Sequence, residues 1–203
     1  LQALHAAGIN DYRAYRADED PAPTRFPVFL RREFDHRGDD RVLLDTKAEL
    51  DGALATLRAS GIPLIGLLVV EYSGEQSTPG IWYRGSAYRA GDEVVAHHMA
   101  LDDSWLVKDG FDADRLRSYP QRDEFVAREA AFVTRNEYSD VLRQVFDIAG
   151  IQYGRADFGF VGNRLQIYEI NTNPNHGSAE SVFSDIYPGR EPTQRLSERR
   201  LRE

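Results

Sequence analysis

The sequence predicts an α+β fold in two lobes, because helical and strand patterns occur together in each half of the chain. In the first half, the helical pattern of Thr46–Ser60 precedes an aliphatic run at Leu64–Tyr72, which is typical of a strand covered on both faces. In the second half, Gly80–Lys108 favours an antiparallel meander, and helical patterns follow at Arg122–Thr134 and Glu137–Ala149. We therefore expect a small strand-helix-strand lobe and a larger antiparallel sheet backed by helices.

Turn and capping signals bound the elements of the first half. Gly8 ends a short helical start, Ile9–Tyr15 has strand character, and a further strand is expected at Phe26–Arg31. Thr46-Lys47-Ala48-Glu49 is a capping box, in which the first and last side chains satisfy backbone N–H groups at the start of a helix. Gly61 marks the end of that helix.

The second half ends in the most informative pattern of the chain. The helix at Glu137–Ala149 has a regular apolar stripe and stops at Gly150. Residues 153–171 then alternate on either side of Gly162-Asn163, which predicts a β-hairpin. The last segment, Glu191–Glu203, is charged and is expected to be helical.

Composition excludes several classes of protein. Among 203 residues, 25 Lys and Arg stand against 33 Asp and Glu, a formal net charge of −8, so nucleic acid is not an expected partner. No apolar run reaches the length of about 18 residues that a membrane span needs. The absence of cysteine excludes disulfides, thiolate zinc sites and a cysteine nucleophile. Without a recognisable targeting signal we expect a cytoplasmic protein, and the start at Leu1 within a helical pattern indicates a fragment.

The register of the hairpin decides which side chains share a face. A two-residue turn at Gly162-Asn163 would pair Asp157 with Tyr168, whereas a three-residue loop that includes Arg164 pairs Asp157 with Glu169. Only the second register separates apolar from polar side chains, and we predict it. Its apolar face carries Ala156, Phe158, Phe160, Tyr168 and Ile170, and its polar face carries Arg155, Asp157, Glu169 and Asn171 around Gly159.

This polar face has the chemistry of a Mg²⁺ site. Two carboxylates and an amide oxygen repel one another unless a cation lies between them, and hard oxygen ligands suit Mg²⁺. A solvated sheet face with an Arg–Asp ion pair is the alternative, and these residues alone leave it open. A transition-metal site is poorly supported, because adjacent His97 and His98 are expected on opposite faces of a strand and His176 is isolated in a loop.

The same residues resemble a known family. Arg155-Ala-Asp157, a hairpin, and then Glu169-Ile-Asn171-Thr-Asn-Pro are similar to the metal-binding end of the ATP-grasp superfamily, which includes the D-alanine–D-alanine ligases. The resemblance implies that Asp157, Glu169 and Asn171 hold the Mg²⁺ ions of ATP, with Mn²⁺ as a substitute. It also implies that Arg155 contacts an acyl phosphate, and that His176 is a candidate base on the loop facing the second substrate.

Earlier segments resemble the nucleotide-binding parts of the same family. Pro27-Val-Phe-Leu-Arg31 is similar to the strand whose final basic residue contacts the phosphates, although the family more often has Lys there. Phe34–Gly38 lies where the family has a glycine-bearing phosphate loop. The segment from Leu67 through Glu71 and Tyr72 to Glu75 resembles the hinge strand, whose backbone reads adenine and which is followed by a ribose-binding Glu. Arg89 and Lys108 are further candidates for phosphate or acyl-group contacts.

The resemblance implies an ATP-grasp fold in which two α+β lobes hold ATP between them. The implied bounds are a partial N-terminal segment at 1–25, a small lobe at 26–72, a large lobe with the metal-binding hairpin at 73–180, and a charged C-terminal tail at 181–203. The N-terminal lobe of such proteins is expected to be missing.

The implied activity is that of an ATP- and Mg²⁺-dependent ligase. It would activate a small-molecule carboxylate as an acyl phosphate for attack by an amine or a thiol. Two alternatives stay open, a kinase of the same fold that phosphorylates a hydroxyl and a non-catalytic nucleotide-binding module. Arg31 in place of Lys and the single glycine of the phosphate loop favour the module, whereas the complete set of metal ligands favours the ligase.

Overall fold

The computed structural model describes residues 1–33, 42–108, 110–174 and 188–202. Within them the chain divides into two compact units, Leu1–Ser73 (unit 1) and Gly74–Glu203 (unit 2). Each unit combines helices with antiparallel strands, which confirms the α+β class. In these described ranges, no helix is both long enough and apolar enough to cross a membrane.

Unit 1 is a three-stranded antiparallel sheet with one helix packed on it. Its elements are α1 (Gln2–Ala6), β1 (Ala14–Arg16), β2 (Val28–Arg32), α2 (Lys47–Ala59) and β3 (Leu67–Glu71). The aliphatic run supplies the central strand β3, between β1 and β2. Helix α2 begins at Thr46, whose hydroxyl accepts a hydrogen bond from the backbone N–H of Glu49 at 3.2 Å. Leu50 and Leu54 of α2 are buried in a core that includes Val69 of β3.

Unit 2 is a five-stranded antiparallel sheet covered by helices. Its elements are β4 (Gln76–Thr78), β5 (Ile81–Ala90), β6 (Glu93–Asp102), α3 (Ala113–Ser118), α4 (Arg122–Arg135), α5 (Ser139–Ala149), β7 (Tyr153–Val161), β8 (Arg164–Asn171), a 3₁₀ turn (Pro188–Arg190) and α6 (Glu191–Arg202). Strand β5 pairs with β4, β6 and β7, and β7 pairs with β8. Phe125 of α4, Phe146 of α5 and Phe158 of β7 are fully buried in the core.

The C-terminal segment, expected as a charged tail, packs against the sheet. Helix α6 contacts β6 and α4, and it buries Thr193, Gln194 and Ser197. Just before it, Arg190 donates two hydrogen bonds of 2.6 Å to the carboxylate of Glu129, which is fully buried on α4. Because a buried carboxylate is costly unless it is paired, this ion pair gives the segment a defined position.

The β7–β8 hairpin confirms the predicted pairing of Asp157 with Glu169, but the predicted three-residue loop is wrong. Val161 pairs with Arg164, so the turn has two residues, and the register shifts by a β-bulge beyond Asp157. The bulged residue is Tyr168, whose ring lies on the side of Gly159 where a Cβ would be. Tyr168 therefore lies on the polar face rather than the apolar face.

Candidate functional site

The candidate site is the polar face that β5, β7 and β8 share in unit 2. Asp157 on β7 lies opposite Ser86 on β5 and opposite Glu169 on β8. Arg155, two residues before Asp157 on β7, lies opposite Asn171 of β8. Since side chains two apart on a strand share a face, the three predicted metal ligands and Arg155 lie on one surface.

The carboxylate of Asp157 is held by two arginines. Arg84 Nη1 donates to its Oδ2 at 2.6 Å. Arg155 donates from Nε to Oδ1 at 2.9 Å and from Nη2 to Oδ2 at 3.0 Å. The pKa of Arg155 is raised above its usual value, because burial opposes its charge but the Asp157 carboxylate outweighs that effect. Asp157 therefore lies at the centre of a hydrogen-bonded ion cluster.

Arg84 is a site residue that sequence reasoning missed. Its Nη2 also donates to the backbone oxygen of Lys108 at 2.6 Å, and its Nε is buried without a hydrogen-bond acceptor among the described residues. The signal that identifies it is alternation along β5, because Arg84 and Ser86 share a face and Ser86 lies opposite Asp157.

Arg89, the β5 arginine selected from the sequence, lies on the opposite face. It pairs with Gly154 of β7. Gly154 and Asp157 are separated by an odd number of positions along the strand, so they face opposite sides of the sheet. Its Nε donates to the backbone oxygen of Gly91 at 2.7 Å, and its Nη1 donates to Asp147 of α5 at 2.5 Å. Arg89 thus ties the sheet to a helix on the side away from Asp157, and we leave it out of the proposed site.

A histidine pair adjoins the ion cluster. The expectation that His97 and His98 lie on opposite faces is wrong, because His97 is the extra residue of a β-bulge in β6. Their ring centroids are 4.7 Å apart, and His98 Nδ1 is hydrogen-bonded to Ser86 Oγ at 2.9 Å. Burial, and then the nearby charges of His97, Arg84 and other arginines, lower the pKa of His98 well below its usual value. His98 is therefore neutral at physiological pH.

The donor set of this face fits a Mg²⁺ ion that arrives with phosphate. Asp157, Glu169 and Asn171 present two carboxylates and an amide, which are the hard oxygen ligands that Mg²⁺ prefers. One lone pair of Asn171 Oδ1 accepts the backbone N–H of Asn173 at 2.8 Å. Among the described residues, no three His, Asp or Glu side chains form a metal-binding group. Phosphate oxygens, which Mg²⁺ commonly binds together with carboxylates, would complete the coordination of the ion.

Glu71, expected at the nucleotide, is instead the centre of a hydrogen-bond network within unit 1. Its carboxylate is buried and accepts hydrogen bonds from the N–H of Arg13 at 2.9 Å, the hydroxyl of Tyr15 at 3.0 Å, and both the N–H and the hydroxyl of Thr24 at 2.8 and 2.9 Å. Burial opposes ionisation, but these donors outweigh it and lower the pKa of Glu71. The carboxylate therefore ties the N-terminal segment to β3.

The remaining nucleotide candidates of unit 1 and unit 2 lie on separate elements. Arg31 lies on β2 opposite Leu68, and the N–H of Tyr72 donates to the backbone oxygen of Pro27 at 2.9 Å. In unit 2, the exposed side chain of Glu75 accepts the N–H of Gly162, at the tip of the hairpin, at 2.5 Å. The side chain of Lys108 is exposed as well.

Two predicted features lie outside the described residues. They are His176, the candidate base, and the phosphate loop at Phe34–Gly38. Their assigned roles therefore stay predictions.

Comparison with known proteins identifies the fold. No family model matches the chain, and no curated protein matches it in sequence. A D-alanine–D-alanine ligase from Coxiella burnetii has a TM-score of 0.52 at 13% identity, over 97% of this chain and 50% of the ligase. The corresponding ligase from Bacillus anthracis has a TM-score of 0.49 at 14% identity, over 98% of this chain and 66% of that one. The ATP-grasp ligase PsnB, in a structure complexed with minimal precursor, Mg and ADP, has a TM-score of 0.47 at 12% identity, over 96% of this chain and 55% of PsnB.

The chain therefore spans about half to two thirds of the length of these structures. At this identity the likeness establishes the fold alone, and the fold is ATP-grasp-like.

Proposed function

We propose that this chain, whose fold is ATP-grasp-like, binds ATP with Mg²⁺ and forms the catalytic part of a ligase that activates a carboxylate for attack by an amine or a thiol. The observation that carries the proposal is the shared face of β5, β7 and β8. There Asp157, Glu169 and Asn171 lie beside the guanidinium groups of Arg84 and Arg155. The Coxiella burnetii protein of similar fold is a D-alanine–D-alanine ligase.

The proposed reaction needs charge neutralisation and alignment more than covalent chemistry by the protein. The γ-phosphoryl group of ATP passes to a carboxylate oxygen, and ADP leaves. The amine or thiol then attacks the carbonyl carbon of the acyl phosphate, and phosphate leaves from the tetrahedral intermediate. Bound by Asp157, Glu169 and Asn171, Mg²⁺ would offset the charge of the phosphate oxygens.

Arg155 and Arg84 supply the fixed positive charge of this site. Both side chains are largely buried, at 19% and 14% exposure, so their charges are less screened than those of surface arginines. A guanidinium group donates in a fork that matches phosphate oxygens. We assign Arg155 to the acyl phosphate and its oxyanion, and Arg84 to a phosphate oxygen that would also satisfy its buried Nε.

The remaining candidates, in both units, are assigned from the family resemblance. We keep Arg31 and Lys108 as phosphate contacts and the backbone around Tyr72 as the adenine-reading segment. The side chain of Glu71 is not proposed as a ligand, because its carboxylate is engaged within unit 1. Glu75 stays the proposed ribose contact, and one of its carboxylate oxygens accepts the N–H of Gly162. His176 stays the proposed base for the nucleophile.

The proposal is tested by calorimetric titration of ATP, with and without Mg²⁺, against the wild type and the Asp157→Asn and Glu169→Gln variants. We expect Mg²⁺ to strengthen ATP binding to the wild type and to have a much smaller effect on both variants. Asp140→Asn is the matched control, because its carboxylate is 97% exposed on α5. Equal Mg²⁺ dependence in all four proteins would contradict the proposal.

A further inference from the structure

Both oxygens of Asp157, the central proposed metal ligand, already face cations. Arg84 and Arg155 together place three hydrogen bonds of 2.6 to 3.0 Å on this carboxylate, whose side chain is 8% exposed. Charge-assisted hydrogen bonds of this kind are about twice as strong as neutral ones. These bonds take three of the about four acceptor sites of the carboxylate, so a divalent cation that binds Asp157 through both oxygens must displace a guanidinium group.

The formal charges of the face show why a cation alone is a poor ligand. Asp157 and Glu169 contribute −2, and Arg84 and Arg155 contribute +2, so the sum is zero. A bare divalent cation would enter a face without net negative charge and would lie beside two guanidinium groups. At the low dielectric constant of a largely buried site, that repulsion is weakly screened.

A phosphate group changes this balance. Its oxygens accept from guanidinium groups in bidentate geometry, so they replace the carboxylate as the partner of both arginines. Arg84 already carries a buried Nε without a hydrogen-bond acceptor in the described part of the chain. Its Nη2 is held by the backbone oxygen of Lys108, which keeps the guanidinium on this face when its contact to Asp157 breaks.

We propose that Arg84 and Arg155 form a clamp that withholds Asp157 from bare divalent cations and releases it to the cation only when a polyphosphate takes over the two guanidinium groups. This inference rests on the proposed nucleotide function and adds the order of events to it. The metal and the polyphosphate then bind cooperatively, each raising the affinity of the site for the other. Asp157 alternates between two partners, the arginines in the free protein and the cation in the loaded protein.

The first experiment measures Mn²⁺ alone, by electron paramagnetic resonance of the free ion, against wild-type protein and Arg84→Gln. Glutamine keeps a hydrogen-bonding side chain and removes the charge. We expect the variant to bind Mn²⁺ several-fold more tightly than the wild type, because Asp157 has lost one cation. The double variant Arg84→Gln/Asp157→Asn is expected to lose this gain. Arg117→Gln, an exposed arginine paired with Asp114, is the matched control.

The second experiment adds inorganic tripolyphosphate, or a non-hydrolysable ATP analogue, at a saturating concentration. The stability of each Mn²⁺–phosphate complex is measured without protein and included in the fit. We expect polyphosphate to raise the affinity of the wild type for Mn²⁺ by roughly 5- to 150-fold, the usual range of coupling between sites, and Mn²⁺ to raise polyphosphate affinity by the same factor. The factor is expected to shrink in Arg84→Gln.

Each outcome decides between the inference and the function on which it rests. Coupling with tripolyphosphate but no preference for the ATP analogue would keep the clamp and remove the nucleotide function. Binding of the analogue with no coupling, and with Mn²⁺ affinity unchanged or weaker in Arg84→Gln, would overturn the clamp and keep the function. No binding of either polyphosphate would overturn both. Arg84→Lys, which keeps the charge, and circular dichroism of all variants separate these results from misfolding.

Discussion

Arg84 on β5 donates a hydrogen bond of 2.6 Å to Asp157 on β7, across 73 residues of sequence. The contact joins the proposed metal ligand to an arginine that no motif identifies. With Arg155, it places two guanidinium groups on the Asp157 carboxylate, which is largely buried on this face.

The two arginines of β5 are predicted to differ in function. Arg84→Gln is expected to weaken binding of an ATP analogue, because the proposed phosphate contact loses its charge. Arg89→Gln is expected to leave that binding unchanged and to lower the free energy of unfolding by about 1–3 kcal/mol, since it removes the hydrogen bonds of the buried Arg89 side chain to Gly91 and Asp147. Calorimetry and urea denaturation measure the two effects. The reverse assignment, with Arg89 controlling affinity, would contradict the proposed site.

The strand pairing of the β7–β8 hairpin could be predicted from the sequence, but the length of its loop could not. The pairing of Asp157 with Glu169 was predictable, because only one register separates apolar from polar side chains. The same pattern gave the wrong loop length, since a bulge at Tyr168 shifts the register as an extra loop residue would.

On β5 and β6, the face on which a side chain lies could not be predicted from the sequence either. Strict alternation puts adjacent His97 and His98 on opposite faces, but the bulge in β6 brings their rings together. The face of Arg84 depends on which residue of β5 lies opposite Asp157, and that is set by pairing between distant strands. Alternation along β5 therefore places Arg84 on the face of Asp157 only once that pairing is known.

Glu71 is predicted to make unit 1 sensitive to acid. Its pKa is lowered in the folded protein, so its contribution to stability is complete above the unfolded value of 4.5 and is lost as the pH falls through the folded value. Glu71→Gln is expected to cost about 3 kcal/mol at neutral pH, because several hydrogen-bond donors lose the charge of a buried acceptor. The cost should decrease below about pH 4.

Urea denaturation at a series of pH values measures this effect. Glu124→Gln, an exposed carboxylate on α4, is the control and should leave the curve unchanged. A cost of Glu71→Gln that stays constant from neutral pH to pH 3 would show that the network does not depend on the ionised carboxylate.

The buried pair of Glu129 and Arg190 is predicted to hold α6 on the sheet. Glu129→Gln is expected to cost about 3–5 kcal/mol, because it leaves the Arg190 guanidinium and the N–H of Met99 with a weaker acceptor. Adding Arg190→Met should cost much less than the sum of the two single changes, since the unpaired charge is then removed. Additive free energies in this double-mutant cycle would mean that the two side chains act independently.

Two glycines are predicted to respond to alanine with opposite signs. At Gly154, a Cβ would lie 2.7 Å from the backbone oxygen of Asn171, and a backbone atom cannot rotate away. Gly154→Ala should therefore destabilise the protein and displace β8. At Gly52, within α2, a Cβ would contact nothing within 4 Å, so Gly52→Ala should stabilise by about 1 kcal/mol. Thermal unfolding measures the change in stability of both variants. A stabilising effect of Gly154→Ala would contradict the close pairing of β8 with β7.

The most direct test of the central claim is paramagnetic broadening by Mn²⁺ in the presence of a non-hydrolysable ATP analogue, followed in the amide NMR spectrum. The account predicts selective loss of the amide signals around Asp157 on β7 and Glu169 on β8. It predicts no such loss with Mn²⁺ alone at the same concentration, or with both ligands in Asp157→Asn. Broadening centred elsewhere in the chain, or unchanged in Asp157→Asn, would show that the nucleotide-bound metal lies away from this face.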